Sequence, residues 1–267
     1  MTGPFDKSAG PAPRDGAQDK RFDGKVAIIT GASRGIGLGV AERLVADGAR
    51  VCITARKQEA LDEAVASLGE GNAIGVAGAG DDAAHQDDAI AKTIEAFGGV
   101  DFLVNNTGIN PTWGRMIDID LGAAEKIFKV NVLSALSWAQ KVYHAGMSES
   151  GGAIVNIASV AGIKPAPGIG FYGASKAMLI HVTEELAVEL GPDIRVNSVA
   201  PAVVKTKFAT ALYEGKEDEV SAAYPLKRLG VPDDVGSVVA FLLSEDAGWL
   251  TGQNIVIDGG LTLTGGV

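Results

Sequence analysis

Thr30-Gly31-Ala32-Ser33-Arg34-Gly35-Ile36-Gly37 follows directly on the apolar run Val26–Thr30 and leads straight into residues of helical period. A strand that breaks into a glycine-rich turn and restarts as a helix presents bare backbone amides at a helix N-terminus, which is the arrangement that receives a diphosphate. Side chains at Gly31, Gly35 or Gly37 would obstruct that approach or the packing of helix on strand. Glycines also serve any tight strand-to-helix turn, so the triplet gains weight only from its place at the head of an alternating series.

That series runs outward to the end of the chain. Short apolar runs near Val26–Thr30, Arg50–Thr54, Ala73–Ala77, Val100–Asn105, Ala153–Ala158, Arg195–Ala200 and Asn254–Ile257 read as seven strands buried on both faces. Between them helical periodicity predicts helices over Gly37–Asp47, Gln58–Leu68, Ala84–Phe97, Ala123–Met147, Gly173–Leu190 and Asp233–Ser244, the last opened by Pro232. Strand and helix alternating in this way predict an α/β class: a single-domain, doubly wound Rossmann fold, with a seven-stranded parallel sheet and helices on both faces. Residues 1–21 carry Gly, Pro, Asp and Lys without an apolar core and are expected to form a flexible N-terminal tail, leaving residues 22–267 as the catalytic domain. The pattern pauses once, over residues 205–227. An excursion after a late strand is placed to cover a ligand beyond the strands' carboxyl ends, so it is expected to be a substrate lid, with an ordinary surface hairpin as the plainer reading.

Composition narrows the partners. A net charge of −10 disfavours nucleic acid and anionic membrane, which select basic surfaces, and points to small molecules. The single cysteine, Cys52, cannot form an intrachain disulfide or a thiolate cluster, which fits a reducing, cytoplasmic location. No stretch of eighteen apolar residues suggests a membrane span. His85, His144 and His181 fall in separate helices without metal-site spacing, so no metal is expected.

The spacing Gly-x-x-x-Gly-x-Gly resembles that of the short-chain dehydrogenase/reductase family, and further motifs follow in that family's order. Asn105-Asn106-Thr107-Gly108 resembles its Asn-Asn-Ala-Gly turn, Asn131 sits in the long fourth helix, Ser159 follows the fifth strand, and Tyr172-Gly173-Ala174-Ser175-Lys176 matches its Tyr-x-x-x-Lys signature. The resemblance spans Phe22 to about Leu263, and within the family the chain resembles both bacterial β-ketoacyl reductases and broad carbonyl reductases. It implies a nicotinamide cofactor held by Gly31, Ser33, Arg34, Gly35, Ile36, Gly37, Asn105, Gly108, Tyr172, Lys176 and Thr206. It also implies that Lys176 binds the nicotinamide ribose, that Asn131 holds a water relaying protons to Lys176, and that the protein is a homotetramer through its fourth and fifth helices. Two departures stand out: Ala202 replaces a glycine after Pro201, where a positive φ would become costly, and Thr107 replaces an alanine.

Some of the chemistry can be argued from the residues. A cofactor without a 2′-phosphate is usually held by an acid at the end of the second strand, but that stretch reads Thr54-Ala55-Arg56-Lys57. Arg56 can instead form a charge-assisted fork with a phosphate, with Arg34 at the same corner, so NADP(H) is expected. Tyr172 and Lys176, four apart on one helix face, put an ammonium beside a phenol. That charge, together with the positive ring of the nicotinamide, would pull the phenol's pKa down towards the working pH of an acid/base catalyst. The Ser159 hydroxyl, at the ligand end of its strand, can donate to a substrate oxygen.

The substrate-facing residues are expected to be Trp113, Ile163, Pro165, Phe171, Phe208, Leu212 and Tyr213, an apolar set suited to a ketone or β-ketoacyl thioester. Glu149, Val188 and Glu189 near the helix ends offer no basic patch for an acidic carrier protein, which favours free ketones or coenzyme A esters. Two rival readings stay open: an NAD-dependent secondary-alcohol or steroid dehydrogenase, and a non-catalytic NADP(H)-sensing protein.

Overall fold

The computed structural model describes residues 20–264. The tail expected over residues 1–21 therefore falls, for residues 1–19, outside the described residues. At its boundary Arg21 pairs with Asp246 at 3.1 Å, and Phe22 is buried edge-on against Phe102.

The chain runs β1 (Val26–Ile29), α1 (Gly35–Ala46), β2 (Arg50–Ala55), α2 (Gln58–Leu68), β3 (Ala73–Ala77), α3 (Ala83–Phe97) and β4 (Phe102–Asn105). It continues through α4 (Leu121–Phe128), α5 (Ser134–Val142), α6 (Ser148–Ser150), β5 (Gly152–Ile157), α7 (Gly170–Leu190) and β6 (Ile194–Pro201). Last come α8 (Thr210–Tyr213), α9 (Glu217–Ala222), α10 (Pro232–Leu243) and β7 (Asn254–Ile257). All seven strands pair in parallel in the order β3-β2-β1-β4-β5-β6-β7.

From β1 to β6 the strands alternate their side chains between two cores, as the pleat requires, whereas β7, expected to be buried on both faces, is an edge strand that leaves Val256 exposed. Ala27, Ile29, Val104 and Val155 pack towards α1, α2 and α10, while Ile28, Leu103 and Ile154 pack towards α3, α5 and α7. Burial on both faces is why these strands read as continuous apolar runs. The order reverses at β1, whose neighbours are β2 and β4, so the crevice for a ligand opens beyond the carboxyl ends of β1 and β4.

The long helix expected over Ala123–Met147 is not continuous. Between α4 and α5 the chain takes one π-helical turn at Lys129–Leu133, and a second covers Tyr143–Met147, where Gly146 sits at φ 133°. A π turn adds a residue and rotates the register, and such turns concentrate at functional sites. The first of these turns carries Asn131.

The excursion over 205–227 contains the two short helices α8 and α9 and has its own small core, in which Tyr224 and Leu229 pack with Leu261 and the partly buried Tyr213. Tyr213, expected to face the substrate, is thus used in packing. Among the described residues Lys227 (φ 55°) is the only non-glycine with positive φ, so Ala202 carries no such strain. Its amide simply extends the β6–β7 pairing by donating to Ile257 O at 3.0 Å.

Candidate active site

The glycine turn is held from the neighbouring strand. Thr30, buried at the end of β1, accepts hydrogen bonds at its hydroxyl from the amides of Asn106 and Thr107, both at 3.0 Å. In return the Asn106 side-chain amide donates to Thr30 O at 2.9 Å and Gly31 O at 3.0 Å. This double clamp fixes the β1 and β4 ends against each other at the mouth of the crevice. Asn106 lies within the Asn105–Gly108 motif, but nothing in the motif's sequence marks it as the residue that holds the glycine turn.

Asn105 turns its side chain the other way, into the protein. Its side chain is buried and donates to Asn156 Oδ1 at 2.9 Å and to Ala135 O at 3.1 Å, joining β4 to β5 and to α5. It braces the sheet under the site, and its side chain is not presented to a ligand.

Only glycine fits at two positions of the turn. A Cβ on Gly37 would lie 2.5 Å from Asn106 Nδ2 and 2.8 Å from the Ala32 backbone. Gly31, at φ 64°, would bring one within 3.0 Å of Thr107 Oγ1. The Thr107 side chain, which has no counterpart in the family's alanine, fills the gap between Gly31 and Gly80. Arg34 enters α1 in extended conformation with no side-chain cap, so the first amides of a twelve-residue helix stay available to an anion. Ser33 is half-buried, Ile36 packs towards the core, and the Thr206 methyl group lies over Gly35, bringing the chain after β6 onto the turn. Bare amides, a cradle a Cβ would fill and a helix N-terminus fit a dinucleotide diphosphate. Arg34 and Arg56 are both exposed and join no ion pair among the described residues.

The four residues expected to react lie on three elements that meet at one end of the sheet. Asn131 uses its side chain as a backbone mimic: Oδ1 accepts from Ile109 N at 2.8 Å, and Nδ2 donates to Ile109 O and Ser175 Oγ, both at 3.0 Å. It thereby ties the loop after β4 to α7. A Cβ on Gly108 would stand 3.3 Å from Lys176 Nζ and 3.6 Å from Asn131 Oδ1, so those two groups face one small space. Lys176 is buried and donates to Ile157 O at 2.7 Å. Ser159 opens a short 3-10 turn, its Oγ accepting from Ala161 N at 3.2 Å.

Tyr172 and Lys176 share one compartment, with the ammonium 5.8 Å from the ring centre. The electrostatics differ from the expectation that the ammonium lowers the phenol. Burial pushes the Tyr172 phenol up to about 12, the nearby Ser159 hydroxyl offsetting only part of that. Burial also pushes the Lys176 ammonium down to about 8. Desolvation disfavours the charged form of each.

The expected substrate residues do not gather in one pocket. Trp113 and Phe171 line a cavity of about 510 Å³ together with Met116, Asp118 and Ile169. The walls of that cavity are stitched together: Gly114 N donates to Gly168 O at 2.9 Å, and the Trp113 ring lies on Gly168. Ile163, Leu212 and Phe208 lie outside its lining, but Phe208 comes within 6.4 Å of the Tyr172 ring, centre to centre, which brings the excursion over the site. His85, read as an ordinary helix residue, is buried edge-on to Trp138 with neither ring nitrogen hydrogen-bonded, and burial lowers its pKa. Among the described residues no group of three or more His, Cys, Asp or Glu is placed to hold a metal, and no helix is long and apolar enough to cross a membrane.

A doubly wound parallel sheet with a glycine-lined crevice at its switch point is a dinucleotide-binding scaffold. Comparison with known proteins agrees. A family model described as enoyl-(acyl carrier protein) reductase matches residues 31–262. Dehydrogenase/reductase SDR family member 4 of Caenorhabditis elegans is 41% identical over 251 residues, covering 91% of this chain and 96% of that one. The Homo sapiens protein of the same name is 38% identical over 242 residues, covering 88% and 87%. Among solved structures, a short-chain dehydrogenase/reductase from Brucella melitensis, described as a glucose/ribitol dehydrogenase, superposes with a TM-score of 0.85 at 32% identity, covering 90% of this chain and 98% of that one. The chain belongs to the short-chain dehydrogenase/reductase family, whose members use a nicotinamide cofactor.

Proposed function

We propose that the protein is an NADP(H)-dependent reductase that converts a ketone, either a β-ketoacyl thioester or another apolar carbonyl, to a secondary alcohol. The observation that carries the reading is the convergence of Ser159, Tyr172 and Lys176 at the crevice end of the sheet, where burial pushes the phenol up to about 12. A dihydronicotinamide, when bound in the crevice, would supply hydride to the carbonyl carbon. Tyr172 gives its proton to the carbonyl oxygen, and the Ser159 hydroxyl donates a hydrogen bond to the same oxygen, stabilising the charge that builds there. Lys176 holds the ribose hydroxyls and lends positive potential as the phenol loses its proton. Asn131 Oδ1 keeps one lone pair beyond the Ile109 amide, facing the space it shares with Lys176, and a water held there returns a proton to the site.

Selection of the phosphorylated cofactor rests on Arg34 and Arg56, two exposed cations at a corner without a carboxylate between Thr54 and Lys57. Residues 22–267 serve as the catalytic domain and 205–227 as its lid, a role supported by Phe208 beside Tyr172. A homotetramer through the α4–α5 and α7 faces is part of the same reading, supported by the exposed apolar side chains Leu133, Met178 and Val188.

The test is oxidation of NADPH and of NADH with a panel of small and aryl ketones, an acetoacetyl thioester and an enoyl thioester. Turnover of a carbonyl with NADPH preferred is the expected result. Reduction of the enoyl thioester alone, or silence across the panel, would contradict it.

A further inference from the structure

The loop that follows Ser159 is anchored at both ends of one side chain. The backbone amide of Lys164 donates to Val160 O at 3.1 Å, fixing it to the turn that Ser159 begins. At the other end, its half-buried ammonium donates to Thr262 O in the C-terminal segment.

That segment is itself rigid. Asp258 accepts hydrogen bonds from Gly260 N at 2.8 Å and from both the amide and the hydroxyl of Thr262 at 2.7 Å, and Leu263 N, in the same peptide plane as the Thr262 carbonyl, donates to Gly260 O at 3.1 Å, which fixes that carbonyl's direction. The segment is also joined to the excursion: Leu226 N donates to Gly259 O at 3.2 Å, Thr264 Oγ1 to Ala223 O at 3.3 Å, and Leu261 is buried with Tyr224 and Leu229. A continuous chain of contacts therefore runs from the Ser159 turn through Lys164 and the C-terminal turn to the excursion that carries Phe208.

We propose that Lys164 is a positioning residue that sets the width of the substrate opening, holding the C-terminal turn and the 205–227 excursion at a fixed distance from the Ser159 loop. The kinetic part of this proposal rests on the carbonyl-reduction reading above; the geometric part does not. Lys164→Met keeps the apolar stem and removes the donor, whereas Lys164→Arg keeps a donor that reaches the same carbonyl. A substrate large enough to touch Phe208 should feel the loss, and one that reaches only Ser159 and Tyr172 should not.

The experiment compares wild type and both variants of the full chain on a small dialkyl ketone and a diaryl ketone, and follows tryptic cleavage after Lys205 and Lys207 in the same proteins. In Lys164→Met, KM for the diaryl ketone is expected to rise about tenfold, the scale of one charge-assisted hydrogen bond, with kcat and the small ketone's KM little changed. Cleavage within the excursion should accelerate, and Lys164→Arg should behave as wild type in both respects. Equal losses on the two ketones, or unchanged cleavage in Lys164→Met, would overturn the proposal. A wild-type protein inactive on both ketones would sink the carbonyl reading alone, and the cleavage rates would still decide the role of Lys164.

Discussion

Lys176 holds its ammonium 5.8 Å from the centre of the Tyr172 ring yet spends its hydrogen bond on the Ile157 carbonyl, 2.7 Å away. The two groups are neighbours, but the ammonium is not aimed at the phenol oxygen. Burial dominates each, raising the phenol to about 12 and lowering the ammonium to about 8. A neutral phenol near pH 7 is a proton donor, which suits the reducing direction.

The lowered Lys176 has a consequence for stability. In the unfolded chain a lysine holds its proton to a pKa of roughly 10.4, whereas here it releases it near 8, so between those values the unfolded state binds more protons and folding stability rises with pH. Urea unfolding near pH 7.5 and pH 9.5 should show the wild type gaining on the order of 2 kcal/mol relative to Lys176→Met, which lacks the titrating group. Parallel behaviour of the two proteins across that range would mean that the ammonium is not desolvated.

The proposed preference for NADP(H) rests on charge at the end of β2. Arg56→Asp removes a cation from the 2′-phosphate's corner and supplies the acid that a ribose hydroxyl prefers. Steady-state kinetics should show KM for NADPH rising about tenfold or more and KM for NADH falling. An unchanged ratio would show that Arg56 is only a solvated surface residue.

Thr30→Val tests the clamp between β1 and β4. The substitution keeps the shape but leaves the amides of Asn106 and Thr107 without their shared acceptor beside a buried side chain. A loss of about 2 kcal/mol in denaturant unfolding, with weaker cofactor binding by fluorescence titration, is expected. Unchanged stability would place those amides in contact with water.

Much of the fold was legible in the sequence because burial on both faces leaves an unmistakable mark. Runs such as Val26–Ile29 and Phe102–Asn105 have no polar alternation to confuse them, and both occur as strands. The breaks in the long helix were not legible. A π turn at Lys129–Leu133 still places apolar Val130 and Val132 inward, so the apolar pattern reads through it as continuous helix. Asn105 and Asn106 show the limit at the site. Adjacent residues of one type in one motif point to opposite sides of the backbone, one into the core and one onto the glycine turn, and the sequence alone does not say which is which. Thr107 and Lys164 depend on distant partners, Gly80 and Thr262, which no local pattern reveals.

The most direct test of the account is single-turnover oxidation of bound NADPH by a ketone in Tyr172→Phe, with cofactor affinity measured on the same protein. Removing one hydroxyl leaves the ring, its packing and the crevice in place. Cofactor affinity close to wild type with turnover reduced by roughly 10²-fold or more is the result expected of a lost proton donor. A Tyr172→Phe protein that binds NADPH and reduces the ketone at the wild-type rate would contradict it.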